Sequence, residues 1–112
     1  MKEDYALYVK WLSIVEYIMD ISGKYPKNVR FTLCDRMVNN ALDALELIIE
    51  AIYAKNRADI LRRVNLYMEK LRSLMQISQR KHYISGKQYE YISRQINEAG
   101  SMVGGWLKTC KE

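Results

Sequence analysis

The 112-residue chain has few of the residues that small proteins use for metal sites, disulfide frameworks or catalysis. It contains two cysteines, Cys34 and Cys110, one histidine, His82, and one proline. Without a CxxC pair or a second histidine, neither a zinc site nor a disulfide framework is indicated. The Glu-x-x-His pair of di-iron bundles is absent, as are Gly-rich phosphate loops and the GxSxG elbow. The sequence therefore predicts no catalytic residue, no metal and no cofactor.

Long apolar runs and low-complexity linkers are also missing. No apolar segment approaches the ~20 residues of a membrane span. The first residues, MKEDYALYVKW, carry acids where a signal peptide has cations followed by an apolar run. A chain of this length without Gly/Ser-rich or Pro-rich stretches is expected to form a single domain, residues 1–112, around one core. We expect a cytoplasmic protein that does not bind membranes.

Helical periodicity runs through nearly the whole chain, and no segment has the character of a strand. Apolar residues recur at spacings of three and four in four segments that short polar connections separate. Four helices with short connections predict an all-α fold, an antiparallel up-down-up-down four-helix bundle. The predicted helices span residues 3–22, 29–55, 58–82 and 86–110, each boundary being approximate.

Three of the predicted helices have a capping signal at their start. Asn28 can cap the second helix, and Asn56 and Asp59 have the N-cap and N3 spacing before the third. Ser85 and Gln88 form a capping box at the start of the fourth. The third and fourth helices are therefore expected to be joined by a short connection around His82.

The first two helices have broad apolar faces. In the first, helical spacing predicts a buried stripe that Trp11 and Ile18 widen. The stripe consists of Tyr5, Tyr8, Leu12, Val15, Met19 and Ser22. The second helix is apolar over more than half of its circumference, Phe31 included. An arc this wide indicates a helix that is central in its bundle or used for self-association. The remaining strip of the second helix is acidic and consists of Asp35, Asp43, Glu46 and Glu50.

Three glycines lie within the fourth helix, Gly100, Gly104 and Gly105. Each glycine costs about 1 kcal/mol relative to alanine inside a helix. We interpret the group as a place where another backbone approaches closely, either within the bundle or at a subunit interface.

Positive charge is concentrated in the second half of the chain. Residues 1–56 carry seven Lys/Arg and eight Asp/Glu, a net charge of −1, whereas residues 57–112 carry eleven and five, a net charge of +6. This asymmetry indicates an anionic partner, nucleic acid or an acidic protein face. A solvated surface whose long side chains cover the edge of the core is the alternative. The candidate binding residues are Arg62, Arg63, Lys70 and Arg72 in the third helix and Lys87, Arg94 and Lys108 in the fourth.

The cations of the third helix fall on different flanks of its apolar arc. Arg63 and Lys70 share one flank, and Arg72 lies on the other. Tyr83 and Tyr91 are candidates for base stacking, because they lie outside the buried arcs and near cations.

Four segments of the chain form a recognisable series, in the order YPKNVRFTLCDRM, ALDALELIIEAIYAKN, LRRVNLYMEKLRSLM and QYEYISRQINEAGSMVGGWLK. The most specific pieces are RFTL-x-DR at Arg30 to Arg36 and the Gly-Gly-Trp-Leu end at Gly104 to Leu107. The series resembles the accessory variability determinant (Avd) proteins of diversity-generating retroelements, and the resemblance covers roughly residues 5–108. Avd proteins share a broader superfamily with the four-helix-bundle proteins of 23S ribosomal RNA intervening sequences.

The resemblance implies a homopentameric ring, not an enzyme, that binds the reverse transcriptase of the element and RNA or DNA. Such a protein supports the mutagenic copying of a template repeat. Arg72 matches a position where Avd proteins carry arginine, whereas Gln76 stands where relatives often have another. Two alternatives remain open: an intervening-sequence protein associated with ribosomal RNA, and a structural adaptor that binds acidic proteins without nucleic acid.

Overall fold

The computed structural model describes residues 2–110, with side chains from Tyr5 onward, and within that range it is all-α. Four α-helices follow one another with short connections, and no strand occurs among these residues. A 3-10 turn, Lys27–Val29, and a π-helical turn, Arg30–Cys34, precede the second helix. The helices are α1, Lys2–Ser22; α2, Asp35–Tyr53; α3, Ala58–Arg80; and α4, Gly86–Lys108.

The four helices pack side by side, and each is antiparallel to its neighbours. The Trp11 indole Nε1 donates a hydrogen bond to the Ala41 carbonyl across α1 and α2, at 2.8 Å. Arg72 and Asn97 are hydrogen-bonded across α3 and α4, while Tyr17 and Tyr91 contact each other across α1 and α4. Each helix thus contacts the next, and α4 returns to α1, as an antiparallel four-helix bundle requires. None of the helices described has both the length and the apolarity to cross a membrane.

One apolar core runs the length of the bundle. Burial of one large apolar side chain contributes roughly 1.5–3 kcal/mol to the free energy of unfolding, so the shared core holds the helices together. The largest fully buried side chains of the core are Leu7, Trp11, Ile14, Ile18, Met37, Ile48, Leu61, Met68, Leu71, Met75, Ile92 and Ile96.

The buried face of α1 coincides with the predicted stripe only in part. Trp11, Val15 and Ile18 are buried as predicted, whereas Tyr5 is 68% exposed and Met19 is 46% exposed. The prediction of Tyr5 and Met19 as core residues was wrong, because α1 is apolar on several sides and its periodicity does not single out one face.

The start of the second helix also differs from the prediction. Asn28 does not cap it and lies instead within the 3-10 turn, where no side-chain cap bond forms. The chain then makes the π-helical turn before regular α2 begins at Asp35. A π turn closes i→i+5 hydrogen bonds and so rotates the residues before it relative to an α-helical wheel. Phe31 is consequently 79% exposed rather than buried.

Arg57 organises the connection between α2 and α3, which the sequence assigned to Asn56 and Asp59. No side-chain cap forms at the start of α3, where Arg57 occupies the N-cap position. The Arg57 Nε donates to the Ala54 carbonyl at 2.9 Å, and the guanidinium lies 5.7 Å from the centre of the Trp106 ring. These contacts satisfy carbonyls at the end of α2, and the cap predicted at the start of α3 is not formed.

The connection between α3 and α4 is defined by backbone hydrogen bonds. Tyr83 N–H donates to the Ser78 carbonyl at 2.9 Å and His82 N–H to the Gln79 carbonyl at 3.0 Å, which is the Schellman pattern. His82 stands at the left-handed position of this motif, with φ of 59°. The predicted capping box follows at once and is confirmed, with Ser85 and Gln88 bonded reciprocally.

Candidate nucleic-acid interface

Helix α3 separates its cations onto two sides, as its periodicity predicts. Lys70 lies on the side of α2, beside a groove between α2 and α3, and its ammonium is 5.0 Å from the centre of the Tyr67 ring. Arg72 lies on the side of α4. The two side chains therefore face different neighbours and cannot serve one compact contact.

Arg72 joins α3 to α4. Its guanidinium pairs with Glu69 one turn earlier and donates to Asn97 Oδ1 of α4 at 3.1 Å. A Cβ built on Gly100 would lie 3.3 Å from the Arg72 Nη2. The small residue at position 100 therefore leaves room for the guanidinium to lie across α4. Arg72 contributes to helix packing as well as to surface charge.

Two further candidate cations have acidic neighbours on their own helices. Arg62 pairs with Asp59 at 2.9 Å, and Arg94 lies 3.6 Å from Glu90. These side chains are at least half exposed, and exposed pairs of this type are worth only about 0.2–1 kcal/mol. An external phosphate or carboxylate can therefore compete with these acidic side chains at little cost.

Arg63, Lys87 and Lys108 form no ion pair with the side chains that the structure describes, residues 5–110. All three are exposed. Lys87 and Lys108 stand at opposite ends of α4, roughly 30 Å apart at 1.5 Å per residue. Because α3 and α4 are antiparallel, Lys108 is level with Arg62 and Arg63, whereas Lys87 lies near the end of α3. The seven candidate cations thus form an elongated surface and not a single pocket.

The two tyrosines predicted for base stacking have aromatic partners within the protein. Tyr91 contacts Tyr17, with ring centres 4.8 Å apart, and Tyr83 contacts Tyr25 at 5.3 Å. The two most exposed aromatic side chains among the residues described are instead Phe31, at 79%, and Tyr53, at 85%. The sequence contains no local signal that Tyr83 and Tyr91 contact other tyrosines, because each pair forms between residues distant along the chain.

A groove of about 560 Å³ separates α2 from α3 beside the cationic flank of α3. Asp35, Arg36 and Asp43 of α2 line one wall, and Tyr67 and Lys70 of α3 line the other. Phe31 stands at one end. A volume of this size is typical of ligand sites, and the sequence did not predict this groove.

Three titratable groups in the packed part of the bundle have raised pKa values. Burial raises the pKa of the Cys34 thiol, whose Sγ donates to the Ser22 carbonyl at 3.6 Å. Burial likewise raises the pKa values of Tyr17 and Tyr25. Within the described residues, no three His, Cys, Asp or Glu side chains come together in a way that could hold a metal.

The fold and this surface define an all-α protein of four helices whose candidate binding chemistry is that of exposed cations. A family model described as bAvd-like matches residues 7–110. The chain belongs to the bAvd-like family, and the resemblance of its four segments to Avd proteins is thereby confirmed. A search of curated proteins finds no match.

Proposed function

We propose that this protein is a non-enzymatic accessory factor of a diversity-generating retroelement, working in the cytoplasm. It would bind the reverse transcriptase and its RNA through the basic surface of α3 and α4 and support mutagenic copying of a template repeat. Membership of the bAvd-like family over residues 7–110 carries this proposal. The net charge of +6 in residues 57–112 supports it.

Binding is electrostatic in this proposal. Arg62, Arg63 and Lys108 contact phosphates at one end of the surface, Arg72 and Arg94 contribute in the middle, and Lys87 contributes at the other end. Contacts of this kind position nucleic acid by releasing counterions and carry no sequence information. Acidic side chains of the reverse transcriptase would use the same cations.

We further propose that the protein assembles as a homopentameric ring. The resemblance to Avd proteins implies this assembly, and exposed apolar residues on α2 support it. Ile49 is 38% exposed and Tyr53 is 85% exposed, next to the exposed acids Asp43, Glu46 and Glu50. This acidic and apolar side of α2 would meet a basic surface of the neighbouring protomer.

The salt dependence of RNA affinity tests the electrostatic proposal. With about six phosphate contacts, one for each cation named above, the affinity for single-stranded RNA should fall on the order of 300-fold between 50 and 200 mM salt. Arg62→Glu with Arg63→Glu should weaken binding at least tenfold and flatten the salt dependence. Lys24→Glu with Lys27→Glu is the matched control, because it changes the net charge equally in the α1–α2 connection. Equal effects of the two double variants would contradict the assigned surface.

Two measurements test the partners. Light scattering should give a particle of five times the 13.2 kDa chain mass, and a monomeric mass would contradict the ring. Co-purification with the reverse transcriptase encoded beside the gene should be lost in the Arg62→Glu, Arg63→Glu variant. Binding to that enzyme without any shift of structured RNA in a gel would favour the acidic-protein adaptor instead.

A further inference from the structure

The groove between α2 and α3 has no part in the electrostatic docking proposed above, yet it lies beside cations that take part in it. Its walls carry Asp35 and Asp43 as well as Arg36 and Lys70, so the formal charge of these four residues is zero. A groove without net charge does not attract a phosphate backbone. It can accommodate an uncharged part of a ligand whose phosphates lie on the neighbouring basic flank of α3.

Asn40 provides a polar group that lacks a partner in this groove. The residue is only 9% exposed, and its side-chain Oδ1 is buried without a hydrogen bond among the described residues. Buried polar groups in proteins are almost always hydrogen-bonded. The last torsion of an asparagine is soft and roughly twofold, so the amide can turn its oxygen towards a donor in the groove. A ligand with an N–H group would supply the missing bond.

Phe31 provides an aromatic surface at the end of the same groove. The π-helical turn holds this side chain 79% exposed, although exposing a large apolar ring to water is unfavourable. Flat, exposed aromatic rings beside cations are the platforms on which unpaired bases stack. Tyr83 and Tyr91 contact other tyrosines, and the Tyr67 ring lies against the Lys70 ammonium. Phe31 is the most exposed aromatic ring that lines the groove.

Lys70 links the groove to the charged surface. Its side chain lines the groove while its ammonium belongs to the basic flank of α3. Arg36 stands on the opposite wall. A nucleotide whose base enters the groove would therefore have cations on both sides for its phosphates.

We propose that this groove binds an unpaired, amino-bearing nucleobase of single-stranded RNA. The base stacks on Phe31, its exocyclic amino group donates to Asn40 Oδ1, and its phosphate contacts Lys70. Asparagine and aspartate are the side chains that accept from the amino groups of adenine and cytosine, and Asp35 and Asp43 add such acceptors. Uracil has no exocyclic amino group. The inference rests on the RNA binding proposed above and adds base selectivity to it.

Fluorescence anisotropy with labelled 12-nucleotide RNAs, oligo(A), oligo(C) and oligo(U), tests the groove in the full-length chain. The wild type should bind oligo(A) and oligo(C) several-fold more tightly than oligo(U). Phe31→Ala should weaken oligo(A) binding roughly tenfold, the loss typical of one stacking platform, without changing the salt dependence. Tyr5→Ala is the matched control, since it removes an aromatic ring that is 68% exposed on α1 and does not line the groove. Asn40→Leu should abolish the preference over oligo(U).

The outcomes separate the groove from the proposed function. If affinity depends steeply on salt but Phe31→Ala behaves like Tyr5→Ala, the groove proposal is overturned and electrostatic RNA binding stands. If no RNA is bound in a salt-dependent manner, both are overturned. Loss of reverse transcriptase binding in Phe31→Ala, with RNA affinity unchanged, would assign the groove to a protein partner and overturn the nucleobase proposal. Thermal unfolding of each variant confirms that it is folded.

Discussion

Replacing the glycines of α4 should stabilise the protein. A Cβ added at Gly104 or Gly105 would meet no atom within 4 Å among the described residues, so the close backbone approach predicted within the bundle was wrong. Alanine then gains helix propensity without a clash, about 0.5–1 kcal/mol at each position. The double variant Gly104→Ala, Gly105→Ala should gain about 1–2 kcal/mol. For a chain of this size, its melting temperature should rise on the order of 5–10 °C.

Gly100→Ala is the internal comparison for this prediction. Its Cβ would lie 3.3 Å from the Arg72 Nη2, so the guanidinium must move by a few tenths of an ångström and its bond to Asn97 weakens. The gain at this position should therefore be smaller than at Gly104.

Urea unfolding followed by circular dichroism measures these differences, and light scattering monitors the mass at the same concentration. A lower free energy of unfolding for the Gly104, Gly105 double variant at unchanged mass would refute the reasoning. A reduced mass with a raised melting temperature of the dissociated chain would place the backbone of a second protomer against the glycines, the subunit interface that the sequence left open.

Three further changes test individual contacts. His82→Gly should raise the free energy of unfolding by about 0.5–1 kcal/mol, because His82 occupies a left-handed position that favours glycine. Urea titration measures this change, and a lower free energy of unfolding would contradict the Schellman motif at His82. Trp11→Phe should lower the free energy of unfolding by about 2 kcal/mol, since it removes the hydrogen bond to the Ala41 carbonyl and leaves a cavity. The same titration should show no such loss for Tyr53→Phe, which changes an exposed side chain. Burial raises the pKa of Tyr25 above its ordinary value of 10.0, so the folded state retains a proton that the unfolded chain loses. The contribution of Tyr25 to the free energy of unfolding is fully present below pH 10 and is lost as pH rises through the pKa of the folded state. Tyr25→Phe should therefore reduce the fall in melting temperature above pH 10.

Much of the helical pattern could be predicted from the sequence because it depends on local spacing. The four helices follow apolar periodicity, and the Ser85–Gln88 capping box needs only residues three apart. The partners of Arg62 and Arg94 are also local, at spacings of three and four. Such pairs can be predicted from the sequence, because an acidic residue three or four positions from a cation lies one helical turn away.

The remaining features depend on contacts between distant residues or on departures from α-helical geometry. The π-helical turn before Asp35 changes the register of Phe31, and a helical wheel assumes that no such turn exists. Tyr83 and Tyr91 contact Tyr25 and Tyr17, respectively, which lie more than 50 residues away along the chain. The groove at Asn40 requires the spacing of α2 and α3, and no property of either helix alone defines it.

The hydrogen bonds of the α3–α4 connection have a consequence for the order of folding. The Schellman motif at His82 and the capping box at Ser85 use only residues within one or two turns of each other, so the reversal of the chain requires no other helix. Closing so short a loop costs little entropy. The α3–α4 hairpin is therefore expected to form early, and α1, whose contacts with α4 span nearly the whole chain, is expected to dock last.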